Sequence, residues 1–186
     1  MYQGALQKYL NCLGREPLHL RALVRTAELY TRSGEYQKAL PYAKKALENA
    51  MYDPEANFAY AIISRRLGNL VDAKETLGWA ARAMEFRSPA YVQLAEIALS
   101  EKDYELAAEY GRRAVSANLY NSGGYEVQAT AYRKMNQPDA ARRIIGQVLE
   151  FDPLDHQAGF EAYLLDPTPG KLDAFKSAIR KLLRLV

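Results

Sequence analysis

The pattern of apolar and polar residues in this chain repeats every 34 residues. Within one period, apolar side chains recur at helical spacing, as Tyr91, Leu94 and Ala98 do, while polar side chains fill the other face. Short polar segments interrupt these stretches, and the first of them contains Gly34. The pattern predicts that each period is a helix, a tight turn and a second helix that runs back along the first.

The predicted turns share a residue suited to the left-handed backbone conformation just past a helix end. With Leu20 taken as position 1 of the first repeat, this residue falls at position 15. The members of the column are Gly34, Gly68, Lys102, Asn136 and Gly170. Lys102 departs from the pattern, because a left-handed conformation costs a residue with a side chain about 1–2 kcal/mol.

Small residues occupy three further columns, at positions 8, 20 and 27. They are Ala27, Ala61, Ala95 and Ala129 at position 8, Ala39, Ala73, Ala107 and Ala141 at position 20, and Ala46, Ala80, Ala114 and Val148 at position 27. Small side chains at fixed helical sites let two helices approach closely. These columns are therefore predicted to form the buried seam of each helix pair.

The repeat frame predicts one continuous array over residues 1–186. Its parts are an orphan second helix at 2–17, repeats at 20–53, 54–87, 88–121 and 122–155, and a degenerate C-terminal repeat at 156–186. The first helix of the last repeat should end near Leu165, because the prolines that follow cannot continue it. Since an array rarely begins in mid-repeat, we expect either a piece of a longer protein or an unusual cap at 2–13.

This set of columns resembles the tetratricopeptide repeat (TPR), a helix–turn–helix unit of 34 residues. The matching residues are Leu23, Ala27, Tyr30, Gly34, Tyr36, Ala39 and Ala46 in repeat one, and Tyr125, Ala129, Tyr132, Asn136, Ala141, Val148 and Pro153 in repeat four. The resemblance implies an all-α fold: a right-handed α-α superhelix (TPR solenoid) of antiparallel helix pairs, with about five repeats and an extra N-terminal helix. It also implies a non-catalytic scaffold whose concave groove binds a protein or peptide segment, or another domain of the same parent chain.

In this family the groove-facing residues lie near positions 2, 5, 9, 12 and 13 of each first helix. The candidate ligand-binding residues are Val24, Glu28, Arg32, Phe58, Ile62, Arg65, Arg66, Val92, Glu96, Glu126, Arg133 and Lys134. Arg32, Arg66 and Lys134 form a basic column that Ser100 interrupts. The charges of neighbouring columns either neutralise one another as solvated surface pairs, worth ~0–1 kcal/mol each, or flank an amphipathic ligand laid along the apolar members.

A narrower likeness supports an alternative function. Residues 53–96 are similar to repeat arrays at the end of large bacterial proteins, in which a β-rich domain suspected of carbohydrate work precedes the repeats. This likeness implies an accessory TPR region of a larger carbohydrate-related enzyme, one that orients or dimerises a catalytic domain absent from this chain.

Composition and motifs narrow the remaining functions. The net charge is only +3 and no unbroken basic stripe is present, so no nucleic-acid partner is expected. No apolar run approaches the ~18 residues of a membrane span and no signal peptide opens the chain, which slightly favours a cytoplasmic location without establishing it. His19, His156 and Cys12 do not lie in metal-ligand spacing, and catalytic motifs are absent, so we expect no enzyme activity, no metal and no cofactor.

The C-terminal residues 182–186 are strongly apolar for the end of an array. This segment either covers repeat four or contacts another chain or domain. Contact with a second copy of this chain would make a homodimer through the terminal helix.

Overall fold

The computed structural model describes residues 2–168, 170, 172, 173, 175–177 and 180, and the regular structure of that part is entirely helical. Ten helices have complete bounds: α1 Tyr2–Arg15, α2 Leu20–Arg32, α3 Tyr36–Asn49, α4 Pro54–Arg66, α5 Leu70–Ala80, α6 Met84–Ser100, α7 Tyr104–Ala117, α8 Ser122–Lys134, α9 Pro138–Phe151 and α10 His156–Leu165. The predicted alternation of first and second helices is confirmed from α2 to α9.

Four turns of the same geometry join the helices of successive pairs. In each, an amide donates across the helix end: Glu35 to Tyr30 at 2.9 Å, Asn69 to Ser64 at 2.8 Å, Asp103 to Ala98 at 2.9 Å and Gln137 to Tyr132 at 2.9 Å. The residue before each donor has a positive φ: 77° at Gly34, 85° at Gly68, 64° at Lys102 and 58° at Asn136. These are the bonds of a Schellman turn, so the predicted left-handed column is confirmed in four repeats, including the unfavourable lysine. At the fifth expected turn, Gly170 already belongs to a helix.

Side chains satisfy the free amides where several first helices begin. Nδ1 of His19 accepts a hydrogen bond from the amide of Ala22 at 3.2 Å. The carboxylate of Asp53 accepts from Ala56 at 2.8 Å, and that of Asp155 accepts from Ala158 at 2.7 Å. Such caps stabilise a helix start by about 1 kcal/mol, so His19 has a structural role.

The alanine columns lie where the helices meet. All twelve residues of positions 8, 20 and 27 named above are at most 2% exposed. Larger side chains fill the space around them, as Tyr30, Leu40, Tyr60 and Leu67 do around Ala39. The predicted buried seam of each helix pair is therefore confirmed.

The chain forms two compact units, Met1–Gln93 and Leu94–Val186. In the first unit, helices α1 to α5 pack one on the next. In the second, α7 packs on α8, α8 on α9, and α10 on both α8 and α9, while Ala95 and Ala98 of α6 pack against α7 and α8. A single continuous array over 1–186 stays a prediction.

The end of the second repeat departs from the frame. Helix α5 ends at Ala80, and α6 begins at Met84, before the repeat boundary at Ser88. The guanidinium of Arg87 donates to the carbonyl of Ala81 at 3.2 Å and to that of Arg82 at 3.1 Å. Arg87 thereby satisfies carbonyls that the early end of α5 leaves free.

The last repeat is truncated as predicted, because α10 ends at Leu165. Phe175 follows in a second helix, and its ring lies 5.7 Å from that of Phe160. In the described part of the chain, no helix has the length and apolar character needed to cross a membrane, and no three metal-ligating side chains stand together. The apolar end 182–186, with its expected dimer contact, lies outside the described residues.

Candidate functional site

The first helices of the first two repeats enclose a small depression on their shared face. Its volume is about 120 Å³, and it is lined by Glu28, Thr31 and Arg32 of α2 and by Phe58, Ala59 and Ile62 of α4. Four of these six residues belong to the predicted groove set. The structure therefore brings part of that set together in Met1–Gln93.

The apolar part of the depression is built by Phe58 and Ile62, which are both half-buried. The ring of Phe58 packs at 5.4 Å from the ring of Phe86 in α6, which holds it in place. Val24 and Val92, predicted on the same face, are 0% and 8% exposed. These valines are core residues, so they support the surface from beneath instead of contacting a ligand.

The charges around the depression are of two kinds. Glu28 is already paired, because Arg25 reaches its carboxylate at 2.6 Å and is shared with the carboxylate of Glu55 at 2.7 Å. The hydrogen bond to Glu28 is the main cause of a raised Arg25 pKa. Arg32 and Arg66, in contrast, are exposed and form no ion pair with any residue that the structure describes. Arg32 lines the depression, and Arg66 is the last residue of α4, the helix that supplies Phe58 and Ile62.

The residues at position 12 make a contact that recurs along the chain. The guanidinium of Arg65 donates to Oε1 of Gln93, 28 residues further on. In Leu94–Val186, Arg133 makes the corresponding contact to Glu161, also 28 residues on. Each pair joins position 12 of one repeat to position 6 of the next, and we call it a clasp.

The Arg133–Glu161 clasp is the stronger of the two. Nε of Arg133 lies 2.6 Å from one oxygen of Glu161 and Nη2 lies 3.0 Å from the other, in a two-point ion pair. The hydroxyl of Thr130 adds a hydrogen bond at 2.9 Å. Glu161 is 3% exposed, so Arg133 is committed to the packing of α8 against α10 and not to a groove ligand.

The clasp explains where the depression opens. At the corresponding positions of the first two repeats stand Thr31 and Ala59, which are too short to meet, and both line the depression. Leu99 and Val127 fill the same two positions in the second unit and pack in an apolar cluster. Position 12 of one repeat and position 6 of the next therefore form a polar clasp, form an apolar contact or leave an open depression, depending on their side chains.

Glu96, Glu126 and Lys134 complete the predicted set in the second unit. Lys134 is exposed, whereas the two glutamates are half-buried. Burial raises the pKa of Glu126, and the negative charges of Asp155 and Glu96 raise it further against the opposing effect of His156. This part of the set is thus a partly buried acidic face with an exposed cation at Lys134.

Sequence reasoning missed Arg25, Gln93 and Glu161, which all occupy position 6. A signal for two of them was present: an arginine at position 12 is followed 28 residues later by glutamine or glutamate. Reading positions 12 and 6 together would have identified Arg65 and Arg133 as clasped arginines.

The Schellman turns at 34-residue intervals, the alanine seams and the paired helices define a TPR-type protein with an all-α superhelical repeat fold. Within that class, the family described as "TT21 fifth ARM repeats domain" matches residues 1–110. The match covers more than half of the chain, and the chain belongs to this family.

Two curated bacterial proteins and one solved structure are similar to the chain. The sol locus transcriptional repressor of Clostridium acetobutylicum is 32% identical over 41% of this chain and 24% of its own length. The TPR repeat-containing protein YpiA of Bacillus subtilis is 23% identical over 69% of this chain and 30% of its own. The crystal structure of YrrB, a TPR protein with an unusual peptide-binding site, covers 91% of this chain and 89% of its own, with 18% identity and a TM-score of 0.66.

The chain thus spans less than a third of the length of the curated relatives that it matches. The structural likeness to YrrB shows the fold alone.

Proposed function

We propose that this chain is a non-catalytic scaffold that binds a peptide segment or a neighbouring domain at the depression between α2 and α4. The observation that carries the proposal is the combination found there: half-exposed Phe58 and Ile62 beside the exposed cation Arg32, with exposed Arg66 at the end of α4. An apolar side chain of the ligand enters the depression, and an acidic group on the same segment meets the arginines. The peptide-binding site of YrrB, a protein with this fold, supports the same mode of action.

The opposing charges do not cancel this arrangement. Glu28 is the acid in the lining of the depression, and it already forms an ion pair with Arg25. Arg32 is therefore the charged lining residue without an ion-pair partner among the described residues, and complementary charge raises both the rate and the specificity of binding. A ligand with an aromatic or branched residue followed by aspartate or glutamate has the best fit.

Selection from a random peptide library displayed on phage tests the proposal. We expect enriched peptides to combine a bulky apolar residue with an acidic one, and to lose at least about tenfold in affinity for the Phe58→Ala and Arg32→Glu variants. Arg143→Glu is the matched control, since Arg143 is also exposed on a helix but lies outside the site. Thermal unfolding followed by circular dichroism checks that the variants remain folded.

Peptides that bind the Phe58→Ala and Arg32→Glu variants as well as the parent chain would contradict the assignment of the site. Selection of peptides without an acidic residue would contradict the role of the arginines.

A further inference from the structure

A second cavity lies on the opposite helices of the first two repeats. Its volume is about 400 Å³, within the range of small-ligand sites. Residues of α3, α4 and α5 line it, among them Tyr60 of α4.

The lining is aromatic and acidic at once. Tyr52, Tyr60 and Trp79 supply ring surfaces, and the rings of Tyr52 and Trp79 lie 4.9 Å apart. Glu48, Asp72 and Glu75 supply three carboxylates against one cation, Lys44. Aromatic faces attract cations through their quadrupole, so both features of the lining favour the same ligand charge.

The structure already shows a cation on this aromatic wall. The guanidinium of Arg82 lies 3.9 Å from the ring centroid of Trp79. Arg82 lines a neighbouring cavity. That cavity shares Tyr52 and Trp79 with the acidic cavity described above. Trp79 therefore stands between a site that the chain fills with its own cation and the acidic cavity.

The three carboxylates differ in the hydrogen bonds and ion pairs that they already make. Asp72 accepts hydrogen bonds from Tyr60 at 3.0 Å and from Asn69 at 2.7 Å. Lys44 lies 3.9 Å from Glu48, and both side chains are 65% exposed, so their attraction is weak. Glu75 is exposed and makes no ion pair with any residue in the described part of the chain. Glu75 is thus the acid best able to receive an incoming cation.

We propose that this cavity binds a small organic cation, an amine carried on an apolar body. The ammonium group lies beside Glu75 and the apolar body packs against Tyr52 and Trp79. A free small molecule fits better than one side chain of a protein partner, because the cavity would be only partly filled by a lysine. The inference goes beyond the proposed peptide site and uses different helices.

Trp79 makes the test direct, because it is the only tryptophan of the chain. The full chain is titrated with phenethylamine while tryptophan emission is recorded, and 2-phenylethanol serves as the neutral probe of the same shape. We expect a saturable change with phenethylamine and binding at least about tenfold weaker for the alcohol. Glu75→Gln should weaken phenethylamine binding by roughly twofold to fivefold. Equal binding of amine and alcohol, or an unchanged affinity in Glu75→Gln, would overturn the proposal.

Two further arms locate the ligand and identify its source. Arg82→Gln should leave the affinity for phenethylamine unchanged, and a tighter affinity would show that the amine competes for the neighbouring cavity instead. A lysine-containing peptide with blocked ends should bind more weakly than phenethylamine. Stronger binding of that peptide would assign the cavity to a side chain of a protein partner and refute the small-molecule ligand.

Discussion

The clasp between Arg133 and Glu161 can be measured as a coupling free energy. Glu161 is 3% exposed, and it accepts two hydrogen bonds from Arg133 and one from Thr130. The change to make is Arg133→Met, which keeps the length of the side chain and removes its charge. The carboxylate of Glu161 then stays buried with a single hydroxyl as its partner.

The expected loss of stability follows from that geometry. Removing one partner of a buried ion pair costs about 3–5 kcal/mol, because the other charge is left uncompensated. The Arg133 side chain is 22% exposed, so water reaches this site, and the lower end, about 3 kcal/mol, applies. Glu161→Met should cost only about 1 kcal/mol, since Arg133 can turn to the solvent. In the double variant no charge remains buried, and its stability should approach that of the parent chain.

Urea unfolding followed by circular dichroism gives the free energy of unfolding of all four proteins. We expect the double variant to be more stable than the sum of the single changes by at least about 2 kcal/mol. The pair of Arg142 and Asp139 is the matched control, because its side chains are 56% and 94% exposed. Its coupling should not exceed about 0.5 kcal/mol. A coupling for Arg133 and Glu161 as small as that of the control would refute the argument.

Four other changes test separate features, with the same unfolding measurement unless stated. Thr26→Val should raise stability by about 1 kcal/mol, because its buried hydroxyl has no hydrogen-bond partner within the described structure. Lys102→Gly should raise it by up to about 1 kcal/mol by relieving the left-handed strain at φ 64°. Gly111→Ala should cost about 1–3 kcal/mol, since a Cβ there would lie 2.8 Å from a backbone oxygen of α8, whereas the open Gly146→Ala should not destabilise. The pKa of Glu126 in the folded state is raised above its ordinary value of 4.5, so stability falls as the pH rises from 4.5 through the raised pKa. Glu126→Gln should therefore raise the Tm more at about pH 7 than at about pH 4.

The helices and turns could be read from the sequence because local chemistry decides them. Glycine, asparagine and the alanine columns recur at a fixed interval, and each has one main structural use. Even Lys102 follows the frame, because the flanking helices impose the turn on a residue that disfavours it. The early start of α6 was not predicted; a contact from Arg87 back to the end of α5 accompanies it, and no repeat column shows that contact.

The candidate site could be read only in part, because side-chain length decides which residues of a column reach the surface. Position 5 lies at the edge of the core: Val24 ends within it, whereas Phe58 extends beyond it. Position 13 lies farther out, and Arg32, Arg66 and Lys134 are all exposed. Whether an arginine at position 12 is available depends on its partner in the next repeat, which no single column shows.

The clasp position also bears on how such arrays change over evolutionary time. Thr31 and Ala59 leave space where Arg65 and Gln93 meet, although the backbone frame is the same. Two substitutions can therefore close a depression at one repeat boundary or open one at another, without an insertion or a shift of register. A repeat protein of this kind can therefore change which of its repeat boundaries carries a depression while its helical frame stays the same.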